Sequence, residues 1–223
     1  MSPGGTAVGI SLILLSFVTL ALSLIVFMKY RQGSYSHLWW SAGLFFAFVT
    51  ILQEGIIYFG YWSQPLIQSY IFMVALLVGL LSTGSVSMLK SGWMRGAWLG
   101  YIVLMSIATA YFCFTTPVDR SAVVNGVIIG ALPQLDVISS TLVTAPAATM
   151  LIALALYSTY RHRTMGTLFI AAGAIVLSVS GSLFALRSFP AAFYYSQFTG
   201  ILLIFLGFIG FPTGRRPGTR LPA

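Results

Sequence analysis

Long apolar runs, separated by short polar or basic stretches, recur along the whole chain. A helix rises about 1.5 Å per residue, so it needs about 20 apolar residues to cross a bilayer core of about 30 Å. Runs of that length predict seven membrane-spanning helices, near residues 7–29, 38–61, 68–89, 94–115, 136–160, 166–187 and 191–212. The pattern predicts an all-α, polytopic transmembrane domain over residues 1–212 and a basic, disordered cytoplasmic tail over 213–223.

The stretch before the fifth predicted helix is irregular. Pro133 interrupts it after the short apolar run VVNGVIIGAL. Irregular backbone at membrane depth must be buried in protein, so residues 121–135 are interpreted as a half-helix that lies at the interface or re-enters the bundle. A second proline, Pro146, is expected to kink the fifth helix itself.

Composition agrees with a membrane location. The chain has 223 residues, of which 58% are hydrophobic and only 6% charged, whereas soluble domains carry about a quarter charged residues. Its net charge of +8 comes from short basic clusters between apolar segments, which is how topology signals are distributed. We therefore expect the lipid bilayer, and no nucleic acid, as its partner, and an integral multi-pass location in the cell membrane.

The basic residues also predict an orientation. One side of the predicted bundle carries Lys29, Arg31, Lys90, Arg95, Arg161, Arg163, Arg215, Arg216 and Arg220, and the other carries only Arg120 and Arg187. Because cytoplasmic loops are enriched in Lys and Arg, the amino terminus is expected outside and the carboxy terminus in the cytoplasm.

A shift of 130 residues reveals a weak internal similarity. It places Tyr30, Arg31, Leu38, Ala42 and Gly43 over Tyr160, Arg161, Leu168, Ala172 and Gly173. The shift aligns helices one to three with helices five to seven in the same orientation. It is the pattern of a three-plus-one-plus-three plan with a parallel repeat, in which sites lie between the halves.

Glu54 is the most informative single residue because it falls inside the second predicted span. An ionised carboxylate in lipid costs several kcal/mol, so Glu54 should face the bundle interior and be either protonated or partnered. Tyr58 and Tyr61 follow on the same helical face, and Gln53 adds an amide beside it. This group is a candidate ligand or ion site; the alternative is a hydrogen-bonded Glu that only fixes helix packing.

Asp136 and Arg187 are further candidates, since both are expected on the same side of the bundle as Glu54. They could form the rim of a vestibule with Glu54 at its floor. Alternatively, Asp136 caps the amino terminus of the fifth helix, where a carboxylate complements the free N–H groups and the helix dipole.

Small residues recur at four-residue spacing on several predicted helices. Such stripes let membrane helices approach closely, so packing is the expected role. The residues concerned are Ala75, Gly79, Thr83, Gly96, Gly100, Ser178 and Ser182.

No catalytic, metal or cofactor motif is recognisable. The chain lacks Gly-x-Ser-x-Gly, His-Glu-x-x-His and Cys/His zinc spacings. His37 and His162 lie at predicted span ends rather than within facing helices, where haem ligands lie, and no lysine in the last helix could bind retinal. We therefore predict no enzymatic activity, no metal and no cofactor.

The segment RQGSYSHLWWSAGLFFAFVTILQEGIIYFGYW, followed by SYIFMVALLVGLLSTGSVSML, places a basic residue before a Trp-containing span with a late acid. In this pattern the chain resembles a group of uncharacterised prokaryotic seven-helix integral membrane proteins. The resemblance implies the helix count and says nothing about activity.

With short loops, any function must reside within the bundle. The leading hypothesis is non-enzymatic binding or transport of a small molecule or ion through a cavity that includes Glu54, coupled to its protonation. The alternatives are a structural or accessory subunit, which would pack against other membrane subunits or a second copy of itself, and a sensor that signals to a cytoplasmic partner.

Overall fold

The chain folds as a bundle of α-helices in a computed structural model that describes residues 3–30, 35–123, 128, 132–162, 165–185 and 190–209. Within these ranges there are seven α-helices, one 3-10 turn at Arg120–Ala122 and no strand. The helices are α1 Pro3–Tyr30, α2 Tyr35–Tyr58, α3 Gln64–Val86, α4 Gly92–Thr115, α5 Gln134–His162, α6 Met165–Ala185 and α7 Pro190–Ile209. The all-helical prediction is confirmed, with one helix at each predicted span.

Among the described residues, the five helices α1 to α5 are long and apolar enough to cross a membrane. Helices α6 and α7 contain shorter apolar stretches, Met165–Ser178 and Tyr195–Gly207. Such a set of helices fits a multi-pass protein embedded in a membrane.

Helix α2 ends earlier than its apolar run predicts. Gly60 adopts a φ of +93°, and its N–H donates to Ile57 O while the Tyr61 N–H donates to Ile56 O. This is a Schellman motif, which terminates a helix where a left-handed residue, usually Gly, follows it. The helix therefore stops at Tyr58, and Tyr61 lies beyond it.

The helices pack in a closed circuit of six. Each of α1, α2 and α3 packs against the next, as do α5, α6 and α7; α3 contacts α5, and α1 touches α7. Helix α4 is outside this circuit, where it packs across both α3 and α5. Polar bonds fix these contacts: Ser23 and Ser41 each donate to the other's carbonyl oxygen between α1 and α2, over 2.9 and 3.0 Å.

Small residues account for the close packing at α3. Ala75 is buried with Ile102 and Val143, and a Cβ atom added at Gly79 would lie 3.1 Å from Ile102. Thr83 is also buried, and its hydroxyl donates to Gly79 O. These positions hold α3 against α4 and α5.

Gly96 and Gly100 make no close packing contact within the described chain, so their predicted packing role stays a prediction. A Cβ atom added at either glycine would meet no atom within 4 Å. The reason is that α4 is peripheral and turns this face away from α3 and α5.

The remaining predictions concern Ser178 and parts of the chain outside the described residues. Ser178 donates to Ala174 O within its own helix. The side chain of Ser182, residue Arg187, residues 124–127 and 129–131 of the half-helix predicted over 121–135, and the tail at 213–223 lie outside the described residues.

Candidate functional site

Glu54 lies one turn before the end of α2 and faces the interior of the bundle. Its residue surface is only 5% exposed. The hydroxyl of Tyr70, on α3, donates to Glu54 Oε1 over 2.5 Å. The expectation of an inward-facing, partnered carboxyl group therefore agrees with the geometry, and the donor comes from the neighbouring helix.

Two amides extend this polar group to other helices. Gln53 is buried beside Glu54 and donates from Nε2 to Ser69 Oγ on α3, over 3.0 Å. The side-chain amide of Gln197, on α7, approaches the Glu54 carboxyl group. We call Gln53, Glu54, Ser69, Tyr70 and Gln197 the Glu54 cluster. It joins the second and third helices to the last one.

The Glu54 cluster has more acceptors than donors. Three of its buried oxygens accept no hydrogen bond: Gln53 Oε1, Glu54 Oε2 and Gln197 Oε1. Buried polar atoms are normally paired, so unpaired acceptors at one place indicate a site suited to a group that brings its own donors.

Two tyrosines predicted beside Glu54 have other surroundings. The ring of Tyr58 packs against the apolar cluster of Leu12, Leu15, Ile51 and Ile201. Tyr61 is 63% exposed, because the helix ends before it and its side chain leaves the predicted face. The prediction that Tyr61 lines the same stripe is therefore wrong.

Asp136 lies in the first turn of α5 and is completely buried. Neither of its carboxyl oxygens accepts a hydrogen bond, so it makes no capping bond to its own helix. Nor is it exposed as a vestibule rim would be. The side chain of Thr116, at the end of α4, lies beside it.

Sequence reasoning missed Tyr70, Ser69 and Gln197. Each is a polar residue within an apolar span, which is a signal that marks candidate interior positions. The signal does not show which helices are neighbours, and Gln197 is far along the chain from Glu54.

A cavity of about 320 Å³ lies elsewhere, near the start of α4. Its lining is apolar and consists of Val86, Trp93, Met94, Ala97, Trp98, Tyr101, Pro146 and Met150. It is at the opposite end of α3 from Tyr70, so it does not belong to the Glu54 cluster. In the described part of the chain, no group of three or more His, Cys, Asp or Glu residues could hold a metal ion.

Comparison with known proteins gives no relative from which a role could be transferred. No protein-family model, no curated protein and no solved structure matches this chain.

Proposed function

We propose that this protein is a non-enzymatic, multi-pass membrane protein that binds a small cationic solute at the Glu54 cluster and moves it across the membrane. The observation that supports this most directly is the buried Glu54 carboxyl group with its unpaired neighbouring acceptors. A protonated amine supplies both a positive charge and several N–H donors, which complement a carboxylate and amide oxygens.

The position of the cluster supports a role in transport rather than in packing alone. Its residues come from α2 and α3 on one side and from α7 on the other, the two groups of helices that the proposed repeat relates. In transporters built from repeats, binding sites lie at the interface between the halves. Loss or gain of a proton by Glu54 would then couple to solute binding.

The arrangement of helices also supports the three-plus-one-plus-three plan. The circuit of six helices is made by α1 to α3 and α5 to α7, and α4 is the helix left outside it. We further propose the orientation given by the basic residues, with the amino terminus outside.

Thermal unfolding of the purified protein tests binding, with methylammonium as the probe. Tetramethylammonium at the same ionic strength is the control, because it carries the same charge without N–H donors. Methylammonium should raise the Tm saturably in the native protein and should have no such effect on Glu54→Gln. An equal response to both ions, or a response that survives Glu54→Gln, would refute the proposed site.

Uptake of labelled methylammonium by proteoliposomes then separates transport from recognition. Native protein should give saturable uptake that empty vesicles lack and that Glu54→Gln abolishes. Binding without uptake would leave recognition as the function of the cluster and exclude transport of this solute.

A second candidate function, as a subunit of a larger membrane assembly, is favoured by the outer face of α4. Gly96 and Gly100 form a GxxxG pair whose face meets open space within the described chain, and such faces pair helices in membranes. Native mass spectrometry in mild detergent should show a homo-oligomer or stoichiometric partner chains. Gly96→Leu and Gly100→Leu should dissociate them, whereas a monomer in the native protein argues against this role.

A further inference from the structure

A second carboxyl group, that of Asp136, is buried in the bundle apart from the Glu54 cluster. Helix α3 contributes to the surroundings of both: Tyr70 bonds to Glu54, whereas Gln68 donates from Nε2 to Thr116 O at the end of α4, over 2.8 Å. Positions 68 and 70 are about 200° apart around a helix. The two carboxyl groups therefore have different neighbours.

Asp136 has few of the partners that a buried carboxylate needs, and the Thr116 side chain is beside it. Its surface is 0% exposed, and neither Oδ1 nor Oδ2 accepts a hydrogen bond. On α3, the Gln68 amide donates to Thr116 O rather than to a carboxylate. Burying a charge without a partner is costly, so a group of this kind either takes up a proton or holds a cation.

The ends of two helices meet at this carboxyl group. The amino-terminal end of α5 favours the ionised form of Asp136, since helix amino termini carry partial positive charge. The carboxy-terminal end of α4 faces it with Thr116, and helix carboxy termini present carbonyl oxygens and partial negative charge. A cation between the two ends would face the Asp136 carboxylate and the Thr116 hydroxyl.

The available ligands select the kind of cation. Carboxylate and hydroxyl oxygens are hard ligands, and the carboxy-terminal ends of helices contribute to Na⁺ sites in membrane transporters. One carboxylate balances one positive charge, and no group of three or more His, Cys, Asp or Glu residues occurs in the described chain to hold a multivalent metal. Cys113 is buried nearby, but its soft sulfur does not suit Na⁺.

We infer that Asp136 and the Thr116 hydroxyl, at the junction of α4 and α5, form a binding site for a single Na⁺ ion. The site is independent of the solute proposed for the Glu54 cluster. Na⁺ binds only the folded chain, because the two helix ends come together on folding.

The test is thermal unfolding of the full-length protein in nanodiscs as NaCl replaces choline chloride at constant ionic strength. A ligand that binds only the native state shifts the unfolding equilibrium about 100-fold when its concentration is 100 times its Kd. Na⁺ should therefore raise the Tm saturably in the native protein. Asp136→Asn should abolish the rise, and Thr116→Val should move its midpoint to about tenfold higher Na⁺, the lower end of the range seen when a group that supports a metal site is lost.

Asp119→Asn is the matched control, because Asp119 is an exposed acid in the loop after α4. It should keep the full response to Na⁺. The inference is overturned if Na⁺ has no saturable effect on the native protein or if Asp136→Asn responds as the native protein does. It is also overturned if Glu54→Gln, and not Asp136→Asn, removes the response, since Na⁺ would then bind at the Glu54 cluster.

Discussion

The hydroxyl of Tyr101, on α4, donates a hydrogen bond to the carbonyl oxygen of Leu142, on α5, over 2.6 Å. Leu142 is four residues before Pro146, which lies inside α5. A proline has no N–H, so the carbonyl four residues earlier loses its helical partner. Tyr101 supplies the missing donor, which is how membrane helices tolerate an interior proline.

This relationship predicts the effects of two substitutions and of their combination. Tyr101→Phe should lower the free energy of unfolding by about 1 kcal/mol, the usual size of such bonds in membranes. Pro146→Ala restores an N–H that can bond to Leu142 O, so in that background Tyr101→Phe should cost much less. Unfolding of the four proteins in mixed micelles measures the coupling. Equal costs in both backgrounds would show that Tyr101 does not compensate for the proline.

The bond from Tyr70 to Glu54 predicts a second coupling. Tyr70→Phe removes the hydroxyl group that donates to the buried carboxyl group. This should lower the free energy of unfolding by about 1.5 to 3 kcal/mol if the acceptor is charged. In the Glu54→Gln background the cost should fall to about 1 kcal/mol, the value for a neutral pair. The same unfolding assay measures both.

Tyr61→Phe is the matched control for this pair, because the Tyr61 side chain is exposed beyond the end of α2. It should leave stability unchanged within about 0.5 kcal/mol. If Tyr61→Phe and Tyr70→Phe destabilise equally, the interior bond does not contribute as described.

Much of the fold could be predicted because the thickness of a bilayer sets the length of an apolar run. Each of the seven predicted spans overlaps a helix. The main error near Glu54 was in the end of α2, which is set by the backbone conformation. At Gly60, a positive φ ends α2 while the apolar and aromatic pattern continues to Trp62. The hydropathy pattern does not reveal such a helix end.

The candidate site was harder to predict than the helices. Glu54 could be identified alone, since a carboxyl group inside an apolar span must be accommodated by the protein. The identity of its partners, Tyr70 and Gln197, depends on which helices pack beside α2, and the sequence does not show this. The glycine spacing of Gly96 and Gly100 likewise matches a packing motif, but α4 turns that face away from the rest of the bundle.

Close contacts at Gly84 predict a large effect of a single methyl group. A Cβ atom there would lie 1.7 Å from Cδ1 of Trp40, a buried indole on α2. Gly84→Ala should therefore destabilise the protein by about 1 to 3 kcal/mol or more, since the ring must move in a packed interior. Gly96→Ala, where open space surrounds the added carbon, should stabilise by about 0.5 to 1 kcal/mol through helix propensity. A comparable loss of stability in both variants would contradict the described packing of Trp40.

The proposed repeat predicts related behaviour at Gly43 and Gly173, which the shift of 130 residues places at equivalent positions. Both lie where the second helix of a triplet approaches the third. A Cβ atom at Gly43 would lie 2.8 Å from the side chain of Leu81, whereas one at Gly173 would lie 2.6 Å from the backbone oxygen of Gly200.

Alanine at either glycine should therefore destabilise the protein, with the larger loss at Gly173, because a backbone atom cannot rotate away as the Leu81 side chain can. Gly43→Ala should be partly rescued by Leu81→Ala, which removes the two nearest atoms and leaves only the backbone oxygen of Leu77, 3.1 Å away. For Gly173→Ala we expect no comparable rescue from shortening Ile204, since the backbone contact would remain. Thermal unfolding of these variants decides the matter: if Gly43→Ala is harmless while Gly173→Ala is severe, the two positions are not structural equivalents and the proposed repeat loses its support.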